Sequence, residues 1–328
     1  MQIGTILLRN NVLLAPMAGF TDYPMRRMVW SFGVGLTVSE MIGSHEDLWQ
    51  TRKSVLRRQH GTDCGTNVVQ IAGCDPATMA DAARRQEDAG AEVIDINFGC
   101  PAKKVCNKAA GSALLGKPDL VARIIEAVAN AVSVPVTAKI RTGLSPDRNN
   151  GVEIATRAER AGAQSLVVHG RTRACRFMGQ AEHHTVAAIK ECVRIPVIAN
   201  GDITSRSEML RVLEATGVKG VMIGRAAVGA PWLPGVIAGA PLPSRRRRIE
   251  AMLEHIELIH AFYAPEESFR IARKHMLAYF RNLGFDSLTQ DFHKLSDAAA
   301  QRLFLRSVSL REGREEQREE SIEQENAA

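Results

Sequence analysis

Cys100 lies in the run Ile96-Asn97-Phe98-Gly99-Cys100-Pro101, where an apolar strand pattern gives way to a loop holding Lys103, Lys104 and Lys108. A cysteine with its ordinary pKa of roughly 8.5 is mostly thiol at neutral pH, so it can donate a proton as a general acid. A cysteine in a strand-end loop is also, in many proteins, only a small hydrophobe. Pro101 keeps the strand from continuing, and three cationic residues follow, which favours the reactive reading. A solvated loop would account for the lysines equally well.

Other apolar runs also end in polar groups: Pro16-Met17-Ala18, Glu40, Gln70, Lys139 with Arg141, His169, Asn200-Gly201-Asp202 and Gly224-Arg225. The last two clusters combine glycines, which let an anion approach the backbone, with an arginine that adds a charged donor. That is a phosphate-binding pattern, although tight turns alone would need the same glycines. Lys139 could form a Schiff base with a carbonyl substrate, or hold positive charge beside an electron-rich ring. Either use requires an anionic partner if the lysine is inside the fold. For His169, a buried neutral ring bonded to backbone stands beside a ligand-binding role.

The elements that must position these residues repeat along the chain. Eight Val/Ile/Leu-rich runs are read as strands: 12–16, 35–40, 67–73, 92–99, 134–141, 165–170, 195–202 and 220–225. Between them lie helical patterns such as 76–90 and 117–132. Near-continuous apolar strands alternating with helices predict an α/β fold, a (β/α)8 TIM barrel with its site at the C-terminal strand ends. A doubly wound open sheet is the rival, weakened because no G-x-G-x-x-G follows the first strand.

The texture changes near residue 240, where GAPLPSRRRR leads into helical patterns only. Residues 1–238 are therefore expected to form the barrel and 239–310 a small all-helical domain. Residues 311–328, with three arginines and seven glutamates, are expected to be a disordered tail. In the second helical pattern, Phe269, Ala272, Met276, Tyr279, Phe280 and Leu283 share one face, and Arg270, Arg273, Lys274 and Arg281 the other. The Arg245–Arg248 run opposes a helix dipole; it suits either an external anion or a solvated linker.

The net charge of +6 becomes +10 once the tail's three arginines and seven glutamates (−4) are set aside, which suits a polyanion such as RNA as well as plain solubility. The six cysteines have no C-x-x-C spacing, so neither disulfides nor a metal is expected, and a reducing cytoplasm is. No apolar run approaches the roughly 18 residues of a membrane span, and the start lacks a secretory pattern.

At these residues the sequence resembles the bacterial tRNA-dihydrouridine synthases. The matching stretches are APMAGFTDYPMR (15–26), GLTVSEM (35–41), VQIAG (69–73), INFGCPAKKV (96–105) with GSALL (111–115), VPVTAKIRTG (134–143), VVHGRTR (167–173), IPVIANGDI (195–203) and MIGRAA (222–227). They span the barrel, and NxGCP with the later GxxLL is the most specific. IARKH (271–275) and GRTRAC (170–175) look most like the B-type branch.

The resemblance implies an oxidoreductase with FMN in the barrel and a helical tRNA-binding domain. Pro16, Met17 and Ala18 would line the flavin, Gln70 and Lys139 would meet its ring edge, and His169 would lie close by. Asn200, Gly201, Asp202, Gly224 and Arg225 would hold the phosphate, while Asn97 and Arg141 would lie beside flavin and uracil. Hydride would pass from flavin N5 to C6 of a D-loop uridine (position seventeen, by B-type likeness) and a proton from Cys100 to C5. NADPH, or NADH, would recharge the flavin. Lys103, Lys104, Lys108, Arg270, Arg273, Lys274 and Arg281 would grip phosphates of the tRNA, bound by a monomer. The rival functions are a Schiff-base aldolase using Lys139, a non-catalytic RNA-binding module, and an FMN barrel acting on a free pyrimidine.

Overall fold

Alternation of side chains along each strand decides what faces the barrel axis. The computed structural model describes residues 1–45, 49, 51–106 and 110–327, with positions 62, 103, 104 and 315–327 as backbone only. After a short antiparallel hairpin, Gln2–Ile3 with Ile6–Leu7, come nine parallel strands among the described residues. They are β1 (Val12–Leu14), β2 (Leu36–Thr37), β3 (Ile42–Gly43), β4 (Val68–Ala72), β5 (Val93–Asn97), β6 (Val136–Arg141), β7 (Ser165–His169), β8 (Val197–Asn200) and β9 (Gly220–Ile223).

Their order is β2-β1-β9-β8-β7-β6-β5-β4-β3. The stretch expected as the second strand, 35–40, pairs with β1 through Leu36–Thr37, and a parallel bridge from Val38 to Val68 closes the ring; Ile42–Gly43, just beyond that stretch, pairs with β4. The architecture is the expected (β/α)8 barrel. Helices return between strands, including Tyr23–Ser31, Pro76–Asp88, Pro118–Ala129, Gly151–Arg160, His184–Cys192 and Arg206–Thr216. Asp22, Asp75 and Ser205 cap three of them by accepting from backbone N–H groups.

Two apolar layers result. Outward-facing Ile94, Ile96, Ala138, Ile140, Leu166, Val168, Val197 and Ala199 pack against helix residues such as Ile124, Ile154 and Ile189. Inward-facing Leu13, Val68, Val93, Val167, Ile198 and Met222 fill the axis below the site. Continuing inward at every second residue gives Asp95 and Asn97 on β5, Thr137, Lys139 and Arg141 on β6, and His169 on β7. The sequence is therefore apolar outside and increasingly polar toward one end inside.

Residues 226–232 and 241–328 form a second unit. Its helices are Arg245–Phe262, Pro265–Leu283, Thr289–Lys294 and Ala298–Ala327. Ala272, Met276, Tyr279, Phe280 and Leu283 are buried with Ile256, Ile259, Phe292 and Leu305. Phe280 meets Phe292 edge-on at 5.4 Å between ring centroids. The charged tail, expected without structure, continues the last helix to Ala327. Its Arg and Glu are good helix formers, and polarity alone does not report that. The arginine run is paired within its own unit: Arg246 with Glu250 (3.1 Å), Arg247 with Glu254 (2.7 Å) and Arg245 with Glu312 (2.7 Å).

Gly170 follows the inward-facing His169 and bonds Asn200 and Glu182 through its backbone. A Cβ there would lie 2.1 Å from the Glu182 carbonyl oxygen. Gly170→Ala should lower the free energy of denaturant unfolding by about 3 kcal/mol, as overpacking against immobile backbone does.

Candidate active site

Parallel register carries the inward polar residues around one end of the barrel. Gln70 lies beside Asp95, Asn97 beside Lys139, Arg141 beside His169, and His169 beside Asn200. Thus Gln70, Asn97, Lys139, Arg141, His169 and Asn200, chosen from the sequence only as strand ends, converge at the mouth, and all are buried.

Cys100 is half-buried just beyond β5, with both of its backbone groups held. Its N–H donates to Asn97 Oδ1 at 2.9 Å. Its carbonyl accepts from the Ser112 N–H at 3.1 Å and the Ser112 hydroxyl at 2.9 Å, with the Cys106 thiol at 3.6 Å. The GSALL stretch thus serves to lock the loop that carries the thiol. Burial pushes the Cys100 thiol up from its ordinary value, and the nearby Arg141 only partly offsets this, so the group is a thiol at neutral pH.

Lys139 Nζ donates to Asn200 Oδ1 at 2.8 Å, and Asn200 Nδ2 is anchored on the Met222 carbonyl. Burial, reinforced by Arg141 and opposed by Asp95, brings the Lys139 ammonium down to about 8. His169 is brought down to about 2 by burial and then by Lys139, Arg141, Arg171 and Arg225, so its ring is neutral. Arg141 donates through Nε to the Gly99 carbonyl (2.7 Å) and through Nη1 to the Thr172 and Arg176 carbonyls (3.0 and 2.8 Å). It ties the Cys100 loop to the loop after β7.

Asp202, expected beside a phosphate, holds two arginines. Its carboxylate accepts from Arg171 Nη1 and Nη2 (3.0 and 2.6 Å), Arg225 Nη2 (3.2 Å) and the Ala181 N–H (2.8 Å). Asn97 likewise uses its amide within the protein, on Gln70 and on the Gly99 and Cys100 N–H groups.

Pro16 and Met17 are half-buried and Ala18 exposed at the end of β1. Gly201 holds a left-handed backbone, φ 123°, against the His169 ring. The side chains of Lys103 and Lys104, and all of Lys108, lie outside the described residues. In the helical unit Arg270 and Arg281 are exposed, whereas Arg273 is half-buried and donates to the Leu295 carbonyl at 2.9 Å.

Sequence reasoning missed Arg171, Asp95, Thr137 and Phe177. Arg171 was signalled by its place two residues beyond His169. Asp95 shares the inward parity of Asn97. Nothing marked Phe177, whose ring lies 5.2 Å from the Arg225 guanidinium and 6.3 Å from the His169 ring.

The donor set suits one large anionic ligand. Lys139 Nζ keeps hydrogens beyond its bond to Asn200, and neither the His169 ring nitrogens nor Arg141 Nη2 has a hydrogen-bond partner among the described residues. A Cβ on Gly224 would make only ordinary contacts, 3.8 Å to Ala15 and 3.9 Å to Met17, so the protein itself leaves its backbone open. An electron-rich ring ending in a phosphate fits these groups.

The family model described as "Dihydrouridine synthase (Dus)" matches residues 13–311. The chain belongs to the dihydrouridine synthase family. It is 49% identical over 310 residues to the tRNA-dihydrouridine synthase B of Proteus vulgaris, covering 92% of this chain and 96% of that one. The protein of the same name from Pseudomonas aeruginosa is 50% identical over 92% of this chain and 93% of its own. That from Escherichia coli is 48% identical over 92% and 96%. The B-type likeness read from the sequence therefore stands.

Among solved structures, a histamine dehydrogenase from Rhizobium sp. 4-9 shares the fold, with a TM-score of 0.57 at 15% identity over 79% of this chain and 50% of that one. This dihydrouridine synthase is an oxidoreductase, and the aldolase and non-catalytic readings fall away. No helix among its described residues is long and apolar enough to cross a membrane.

The neutral His169 gives a testable stability signature. The unfolded ring takes up a proton near pH 6.5 and the folded ring only near 2, so stability is lost as pH falls below about 6.5. Between pH 7 and pH 5 the parent should lose about 2 kcal/mol more unfolding free energy than His169→Gln, measured by denaturant titration.

Proposed function

We propose that this dihydrouridine synthase reduces a D-loop uridine of tRNA, at position seventeen, to 5,6-dihydrouridine, with FMN recharged by NADPH or NADH. The observation that carries the reading is Cys100, a protonated thiol fixed through both backbone groups beside a mouth of buried cations.

Lys139, His169 and Gln70 would hold the flavin ring edge, with Pro16, Met17 and Ala18 lining it. The backbone of Gly201 and Gly224, with Arg225 and Arg171, would hold the phosphate. When bound, the flavin supplies the hydride that reduces the uracil C5=C6 double bond at C6. Charge then gathers at C5 and the C4 oxygen, and Cys100 donates its proton to C5. A raised thiol pKa suits that task, because the proton is present at neutral pH. Lys139 and the Arg141 Nη2 donors stabilise negative charge in a mouth with little water. His169, neutral, offers a hydrogen bond without adding a cation.

A uracil inside a barrel mouth must leave its stack, which requires the tRNA to be gripped elsewhere. Arg270, Arg273 and Lys274 would contact backbone phosphates, with Lys103 and Lys104 beside the mouth. The nicotinamide cofactor would visit the same cleft, since the sequence has no dinucleotide-binding motif. Six free cysteines suit work in the cytoplasm.

Cys100→Ala should cut dihydrouridine formation at least ~100-fold while keeping the flavin absorbance; loss of flavin would make Cys100 structural. Arg270→Ala, Arg273→Ala and Lys274→Ala together should weaken tRNA binding and lower its salt dependence by about two ion equivalents. Filter binding at several salt concentrations measures this, and an unchanged slope removes that helix from the footprint.

A further inference from the structure

We propose that Asp95, buried inside the barrel one strand-repeat below Asn97, is a positioning residue that fixes the direction of a hydrogen-bond chain aiming Cys100. The argument runs from the end whose polarity cannot change. The Gly99 and Cys100 N–H groups only donate, so the Asn97 atom facing them, at 3.1 and 2.9 Å, is its oxygen. Asn97 Nδ2 therefore points at Gln70 and needs an acceptor, met by Gln70 Oε1 at 2.7 Å. That turns Gln70 Nε2 toward Asp95, where Oδ2 accepts at 2.7 Å. Thr137 donates to the other carboxylate oxygen at 2.7 Å.

Each amide in this chain has one oxygen and one nitrogen, so reversing any one reverses those beyond it. Both ends of the chain are therefore fixed: the Gly99 and Cys100 N–H groups can only donate, and the member at position 95 must accept. Asp95 is 3%, Gln70 1% and Asn97 8% exposed, so water cannot readily replace a lost partner. Without an acceptor at position 95, Gln70 gains nothing from its present orientation. If it turned, its nitrogen would face the Asn97 nitrogen, and the acceptor that holds the Cys100 N–H would be lost.

The consequence for turnover rests on Cys100 as proton donor, but the positioning is testable without it. The full-length protein, with flavin content matched across variants, is treated with iodoacetamide. Modification of Cys100 is followed by peptide mass mapping, with exposed Cys192 of the same chain as reference. Asp95→Leu removes the terminal acceptor. Asp95→Asn keeps one, with its amide oxygen toward Gln70 and its nitrogen toward Thr137.

Cys100 modification relative to Cys192 should rise about tenfold in Asp95→Leu and stay within about twofold of the parent in Asp95→Asn, the scale of one or two buried hydrogen bonds. Gln70→Met cuts the chain one link nearer Cys100 and should give the same rise, which covers the case of an Asp95→Leu protein that does not fold. Parent-like modification in a folded Asp95→Leu or in Gln70→Met, or a rise in Asp95→Asn equal to that in Asp95→Leu, overturns the proposal. Because the readout is the exposure of Cys100, it is separate from the Cys100→Ala test of what the thiol does.

Discussion

Positive charge buried at one end of the barrel is the constraint on which the site depends. Lys139, Arg141 and Arg171 are 9%, 2% and 4% exposed, and Arg225 adds a fourth cation nearby. Burying a charge is costly unless it is paired. Asp202 pairs with Arg171 and Arg225, whereas Lys139 Nζ donates to the neutral amide of Asn200. Burial answers this in part by lowering the Lys139 pKa and by keeping His169 neutral. The anionic ligand proposed for the mouth would supply the rest. The same cations that cost stability in the free protein would then become its means of binding.

Against this field, Cys100 is kept as a thiol by burial rather than turned into a thiolate by Arg141. That distinction separates a proton donor from a nucleophile. The guanidinium that could have ionised the thiol donates to the Gly99, Thr172 and Arg176 carbonyls, and so fixes two loops. Electrostatics and loop geometry are thus set by the same side chain.

The barrel was legible because parallel strands covered on both faces carry long Val/Ile/Leu runs. The extra strand β3 was not, since it is only Ile42–Gly43 and lies beyond the run read as 35–40, where a Val38–Val68 bridge closes the ring. Position at a strand end was enough to select Lys139, His169 and Cys100. It could not tell what a side chain does there. For Asp202 it did not reveal the two arginines that its carboxylate holds. Asp95 hides in an apolar run because its partners, Gln70 and Thr137, come from flanking strands.

The central claim is that the mouth's positive charge is completed by an anionic ligand, with Lys139 as the group that responds. Calorimetric titration of FMN into flavin-free protein at pH 9, in two buffers of different ionisation heat, tests it directly. Lys139, near 8 when unliganded, is then mostly neutral and should take up close to one proton as the ligand raises its pKa, by about one equivalent of linkage. Tight binding with no proton uptake would contradict the account.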